Sequence, residues 1–106
     1  MNMAAIHLIK NDRSLPQIIP IAQGSDIFRS GYWLMAEDTA KALVGGNIFF
    51  HKRQAESSFF GGVIESIEVA KGQYAGRIIF IFKSDQTCKG VNTPRKGWSQ
   101  EMKIIL

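Results

Sequence analysis

The sequence predicts a mainly β fold of the α+β kind: a small β-barrel of about six strands with one principal short helix. Three observations carry this. Ile78, Ile79, Phe80, Ile81 and Phe82 are apolar without interruption, the pattern of a strand buried on both faces in the middle of a closed or nearly closed sheet. Only residues 37–44 show helical periodicity. At 106 residues the chain forms one domain, residues 1–106, with room for a single modest core.

The elements follow in order. Residues 5–10 (Ala-Ile-His-Leu-Ile-Lys) read as a first strand, and residues 11–14 (Asn-Asp-Arg-Ser) as a turn. Residues 15–23 carry Pro16 and Pro20, which restricts them to an extended, edge or irregular course. Residues 27–35 hold Phe28, Tyr32, Trp33 and Leu34 around Gly31 and read as a strand bent at the glycine. The helix over 37–44 has Glu37 and Asp38 in its first turn, where the helix dipole favours them. Ala36, Ala40, Leu43 and Val44 form its apolar face, and Gly45 follows as a C-terminal stop. Strands are expected at 47–51, 63–70, 77–83 and 102–106. Residues 71–76 have the composition of a hairpin loop. Residues 84–101 show no periodicity, and a structureless loop longer than about 12–15 residues is unusual in a compact domain.

Composition narrows the function. Apolar residues make up 45% and charged residues 21% of the chain, which argues against disorder. No apolar run reaches the roughly 20 residues that span a bilayer, and residues 1–5 lack the features of a secretory leader. Cys88 is the one cysteine, so no internal disulfide and no cysteine-based metal site is expected. A cytoplasmic location follows as the expectation. No phosphate-binding glycine loop, dinucleotide fingerprint or His-Glu-x-x-His sequence occurs. No catalytic residue, cofactor or metal is therefore assigned.

Net charge is +4, and it is unevenly spread. Residues 1–70 hold six Lys/Arg against seven Asp/Glu, whereas residues 71–106 hold seven against two. A basic third of a chain attracts polyanions, nucleic acid among them. The same charge also serves simply as a solvated surface that keeps a small protein in solution.

Two stretches carry the candidate binding residues. In residues 45–64, His51, Lys52 and Arg53 end a strand and suit phosphate oxygens. Ser57, Ser58, Phe59, Phe60, Gly61 and Gly62 follow. The glycines allow close backbone approach. Phe59 and Phe60 point to opposite sides of an extended chain, so one enters the core and the other is available for stacking. In residues 84–101, Lys89, Arg95, Lys96 and Trp98 interleave cations with an aromatic ring, a combination suited to unpaired bases. Trp98 either anchors the loop or faces a cleft. Trp33 is either core or one wall of an aromatic pocket. Glu65 is a surface carboxylate if Ile64 faces inward, and a buried one needing a partner if it does not.

The run of strand, short helix ending at Val44-Gly45-Gly46, strand Ile48-Phe49-Phe50, strand Val63-Ile64 and apolar strand 78–82 resembles the PUA-like superfamily, which includes PUA, ASCH, EVE and YTH domains. The nearest similarity is Ala40-x-x-Leu43-x-Gly45-x-x-Ile48, and the resemblance covers about half the chain. Tyr32-Trp33 before the helix is similar to the aromatic start of EVE domains. The resemblance implies a pseudobarrel that binds RNA or a modified base in a cleft beside the helix. It also implies an alternative, since some ASCH-like proteins are amidohydrolases using Lys, Thr and Glu; here Thr39, Lys41 and Glu65 match by type only. The expectation is a nucleic-acid-binding module, RNA or DNA, that reads a modified or flipped-out base. Its stacking walls would be Trp33, Phe59 or Phe60, and Trp98. The rivals are a small amidohydrolase acting on a modified nucleoside and a protein-interaction module for an acidic partner.

Overall fold

The computed structural model describes residues 4–10 and 17–106; the turn expected at 11–14 lies outside them. Seven strands form one mixed sheet in the order β2-β3-β6-β5-β4-β1-β7. They are β1 (Ala5–Ile9), β2 (Gln17–Pro20), β3 (Ile27–Trp33), β4 (Asn47–His51), β5 (Phe60–Val69), β6 (Ile78–Ser84) and β7 (Met102–Ile105). Among the described residues, only β1 and β4 pair in parallel and every other strand pairing is antiparallel. The seventh strand beyond the expected six is β2, the proline-bearing segment. It lies at one edge, where Pro20 interrupts no central ladder. No pairing among the described residues joins β2 to β7, so the sheet is not closed, and the closed or nearly closed barrel that was expected is not established.

The helix α1 (Glu37–Ala42) begins where its acidic first turn indicates and ends two residues earlier than the periodicity suggests. The Leu43 N–H bonds Ala40 O and the Gly46 N–H bonds Leu43 O, which tightens the last turn. Gly45, at φ +90°, then turns the chain so that its N–H bonds Ile64 O on β5.

The main core lies on one face of the sheet. Ile6 and Leu8 from β1, Ile48 and Phe50 from β4, Ile64, Ile78, Phe80 and Phe82 pack with Ala40 and Leu43. Alternation along β1 and β4 sends the even-numbered residues here and the odd-numbered ones to the opposite face. β6 is central, between β3 and β5, and buried along most of its length, as its unbroken apolar run requires. β5 is longer than expected and carries a register shift between Ile64 and Ser66. Ile64 faces in and Glu65 is exposed, so the surface reading of Glu65 holds.

Residues 84–101 are not a featureless loop. They contain a 3-10 turn at Gln86–Cys88, capped by Asp85, and a bridge from Ser99 to Met102. Thr87 donates both its backbone N–H and its hydroxyl to Asp85 Oδ1, which holds the Asp85 carboxyl below its usual range.

Candidate functional site

The second face of the sheet is polar and covered. Asn47, Phe49 and His51 project from β4, and in the β1–β4 and β1–β7 registers His7 stands beside Phe49 and Lys103. These residues are the floor of the site, and its roof is built from segments 52–58 and 86–99.

A histidine pair occupies the centre. His7 Nδ1 and His51 Nε2 lie 2.8 Å apart, and His51 Nδ1 lies 2.8 Å from Glu56 O. A carbonyl only accepts, so His51 carries its proton on Nδ1 and accepts at Nε2. His7 must then donate from Nδ1, and its remaining lone pair is on Nε2. His51 is fully buried, at 0% exposure, and His7 is buried too. The His7 ring stacks on Phe49 at 4.6 Å, and Trp98 sets its ring edgewise against His7 and His51 at 6.2 and 5.6 Å. Burial first, then competition with His51 for charge and the positive charge of Lys103, pushes His7 down to about 4. Burial also lowers His51, partly opposed by its bond to Glu56 O. Both rings are therefore neutral at pH 7.

This overturns the expectation that His51 grips phosphate: it is sealed in, and its partner is His7, distant in sequence but adjacent across two parallel strands. His7, Phe49 and Lys103 were not singled out in the sequence. The available signal was alternation, which puts His7 and Lys103 on the face opposite Ile6, Leu8 and Met102. Lys103 is also buried, and its Nζ donates to Pro94 O at 2.7 Å, tying segment 94–99 to β7.

A second tie runs through Ser58. Its hydroxyl donates to Cys88 O at 2.6 Å and accepts from the Val91 N–H at 3.0 Å. The backbone repeats the clamp, with Ser58 N–H on Val91 O and Gly90 N–H on Ser58 O. Ser58 is thus a buried brace, whereas Ser57 is exposed. Gly61 is fixed by packing: a Cβ there would strike Ile48 O and come within 2.9 Å of Cys88 Cβ. Cys88 is buried beside Asn47, and burial first, then the Asp85 charge, pushes its thiol up. A protonated buried thiol is a poor nucleophile.

The other expected residues divide between inside and outside. Trp33 is core, with its indole N–H on Ser30 Oγ at 3.1 Å, and is removed as a pocket wall. Phe60 packs against Phe28, Phe50 and Phe82, while Phe59 is 38% exposed. Lys52, Arg53, Arg95 and Lys96 are all exposed, and Arg53 approaches Glu56 at 3.4 Å. Trp98 is half-buried, and its indole nitrogen is covered without an acceptor among the described residues. The segments bearing the two cation pairs meet: Gln54 Nε2 donates to Gln100 O at 2.7 Å. Lys41 is engaged by Glu37 at 3.1 Å, so it is not held toward Glu65. Among the described residues, no three His, Cys, Asp or Glu side chains gather to hold a metal, and no helix is long and apolar enough to cross a membrane. Comparison with protein-family models, curated proteins and solved structures gave no match.

Proposed function

We propose that this chain is a PUA-like module that binds single-stranded nucleic acid along the rim formed by segments 52–57 and 94–100. The observation that carries the reading is that the two segments bearing exposed cation pairs, Lys52–Arg53 and Arg95–Lys96, are bonded to each other through Gln54 and Gln100. Four cations on adjoining segments give a polyanion several phosphate contacts at once, and exposed Phe59 supplies a ring on which an unpaired base can stack. A mainly β fold with one short helix supports the PUA-like reading, and the cytoplasm is the setting this reading assigns. Trp98 contributes its uncovered edge, while His51, Ser58, Phe60 and Gly61 act from beneath by shaping the rim.

The test is binding of fluorescein-labelled oligo(dT) and oligo(U) across a salt series. Affinity should fall steeply with salt, and Ala at any of the four cations should weaken binding and flatten the slope by about one counterion. Binding that ignores salt would refute the reading. Binding of acidic peptides but not oligonucleotides would favour the protein-interaction alternative.

A further inference from the structure

The strap over the second face has an unusual fastening. Segment 89–101 holds few apolar residues, yet it is ordered against the sheet through Trp98, the Lys103–Pro94 bond and the Ser58–Val91 brace. Of these, the Trp98 contact alone rests on histidines. We propose that the His7–His51 pair is a proton-operated latch, which holds Trp98 and the strap bearing Arg95 and Lys96 closed while both imidazoles are neutral and releases them on acidification.

The argument is geometric. The chain Glu56 O, His51, His7 runs in one direction, with each ring donating from Nδ1. The first added proton goes to the free lone pair, His7 Nε2, and puts a cation on a residue only 3% exposed. A second would set N–H against N–H across 2.8 Å and break the pair. Among the described residues, the surroundings offer no relief. On β1 the group is His7 itself; β4 supplies His51 and the neutral Asn47 and Phe49; and β7 supplies the cation of Lys103. Segment 52–58 offers the Glu56 carbonyl, while the Glu56 carboxylate is turned to Arg53. The strap supplies neutral Trp98, exposed Arg95 and Lys96, and a Glu101 that faces β1 only through its backbone, bonding Ile9 N–H. The depression of His7 to about 4 agrees, its causes being burial, His51 and Lys103 in that order. Lifting the strap hydrates the imidazolium and frees the covered Trp98 N–H. The Ser58 brace and the β5–β6 ladder contain no histidine and are not touched by the same proton.

The inference does not depend on what the rim binds. It is tested on the whole chain by nuclear magnetic resonance between pH 7.5 and 4, following the Trp98 indole N–H signal, the His7 ring and amide exchange. The expected result is a shift of Trp98 and at least about a tenfold loss of amide protection over 94–101, with β5 and β6 amides still protected. His7→Asn keeps a donor near the Nδ1 position but does not titrate, so in it the transition should disappear. A Trp98 signal constant to pH 4 would overturn the latch. So would loss of β5–β6 protection at the same pH, or an unchanged transition in His7→Asn. If that variant does not fold, the wild-type ring decides: His7 titrating near its ordinary value with the strap still protected also overturns it.

Discussion

Ser57 and Ser58 are neighbours of the same type, and the structure gives them opposite work, which makes Ser58→Ala the sharpest test of how the site is built. The Ser58 hydroxyl serves two backbone groups, accepting from Val91 N–H at 3.0 Å and donating to Cys88 O at 2.6 Å. Alanine fills almost the same volume, so little packing is lost. What is lost is the partner of a buried carbonyl and of a half-buried N–H. Each stranded group costs about 1–3 kcal/mol, and water reaching the Val91 side softens the total to about 2–4 kcal/mol. For a domain of this size that lowers the melting temperature by about 10–25 °C.

Urea denaturation of wild type, Ser58→Ala and Ser57→Ala measures the difference. Ser57→Ala should lie within about 0.5 kcal/mol of wild type, as exposed substitutions do. The midpoint of Ser58→Ala should drop with little change in slope, because the surface exposed on unfolding is unchanged. A Ser58→Ala protein as stable as Ser57→Ala refutes the brace. If that same variant also loses oligonucleotide affinity, Ser58 faces a ligand and the inside–outside division of the site is wrong.

Other outcomes follow from the same geometry. Gly61→Ala should destabilise by more than about 2 kcal/mol in thermal melts, because its Cβ would meet Ile48 O and Cys88 Cβ, neither of which can retreat cheaply. Trp98→Ala should cost about 2–3 kcal/mol, less than a fully buried tryptophan, and should also weaken oligonucleotide binding; unchanged affinity would leave it a fastening alone. For His7, the native form resists protonation to about pH 4 while the unfolded chain takes the proton near 6.5. Stability is therefore full above about pH 6.5 and falls by about 3 kcal/mol as pH drops to 4. Denaturation midpoints of wild type against His7→Asn across that window check the sign and the size.

Where residues are apolar and regularly spaced, the sequence foretold the structure well. The strand at Asn47–His51 appears with the expected ends, the apolar run on β6 lies inside the sheet between β3 and β5, and Glu65 faces out because Ile64 faces in. Such signals are local: each needs only period two, or an unbroken run, to declare itself. The helix stops short of its apolar periodicity: Leu43 and Val44 extend the apolar face although the backbone has already tightened, with Leu43 N–H on Ala40 O. The histidine pair was invisible for another reason. His7 and His51 are 44 residues apart, and what joins them is the parallel pairing of β1 with β4, which no turn or spacing announces.

The same reason explains why the strap looked like an anomaly. A segment with so few apolar residues cannot bury enough surface to order itself, and by composition it belongs with mobile loops. It is ordered because its surroundings supply what it lacks: a lysine from β7 reaching up to Pro94 O, a hydroxyl from the β4–β5 loop accepting from Val91 N–H, and two imidazole rings as a seat for one indole. The lysine and the two histidines come from β7, β1 and β4, whose positions are fixed by the main core on the opposite face, and Ser58 stands between β4 and β5. The entropy of placing Arg95 and Lys96 is thus met mostly in folding rather than in binding, which favours a partner that the rim receives already formed. It also explains why the fastening is polar. An apolar strap would be permanent, whereas one resting on neutral histidines is as strong as their resistance to a proton.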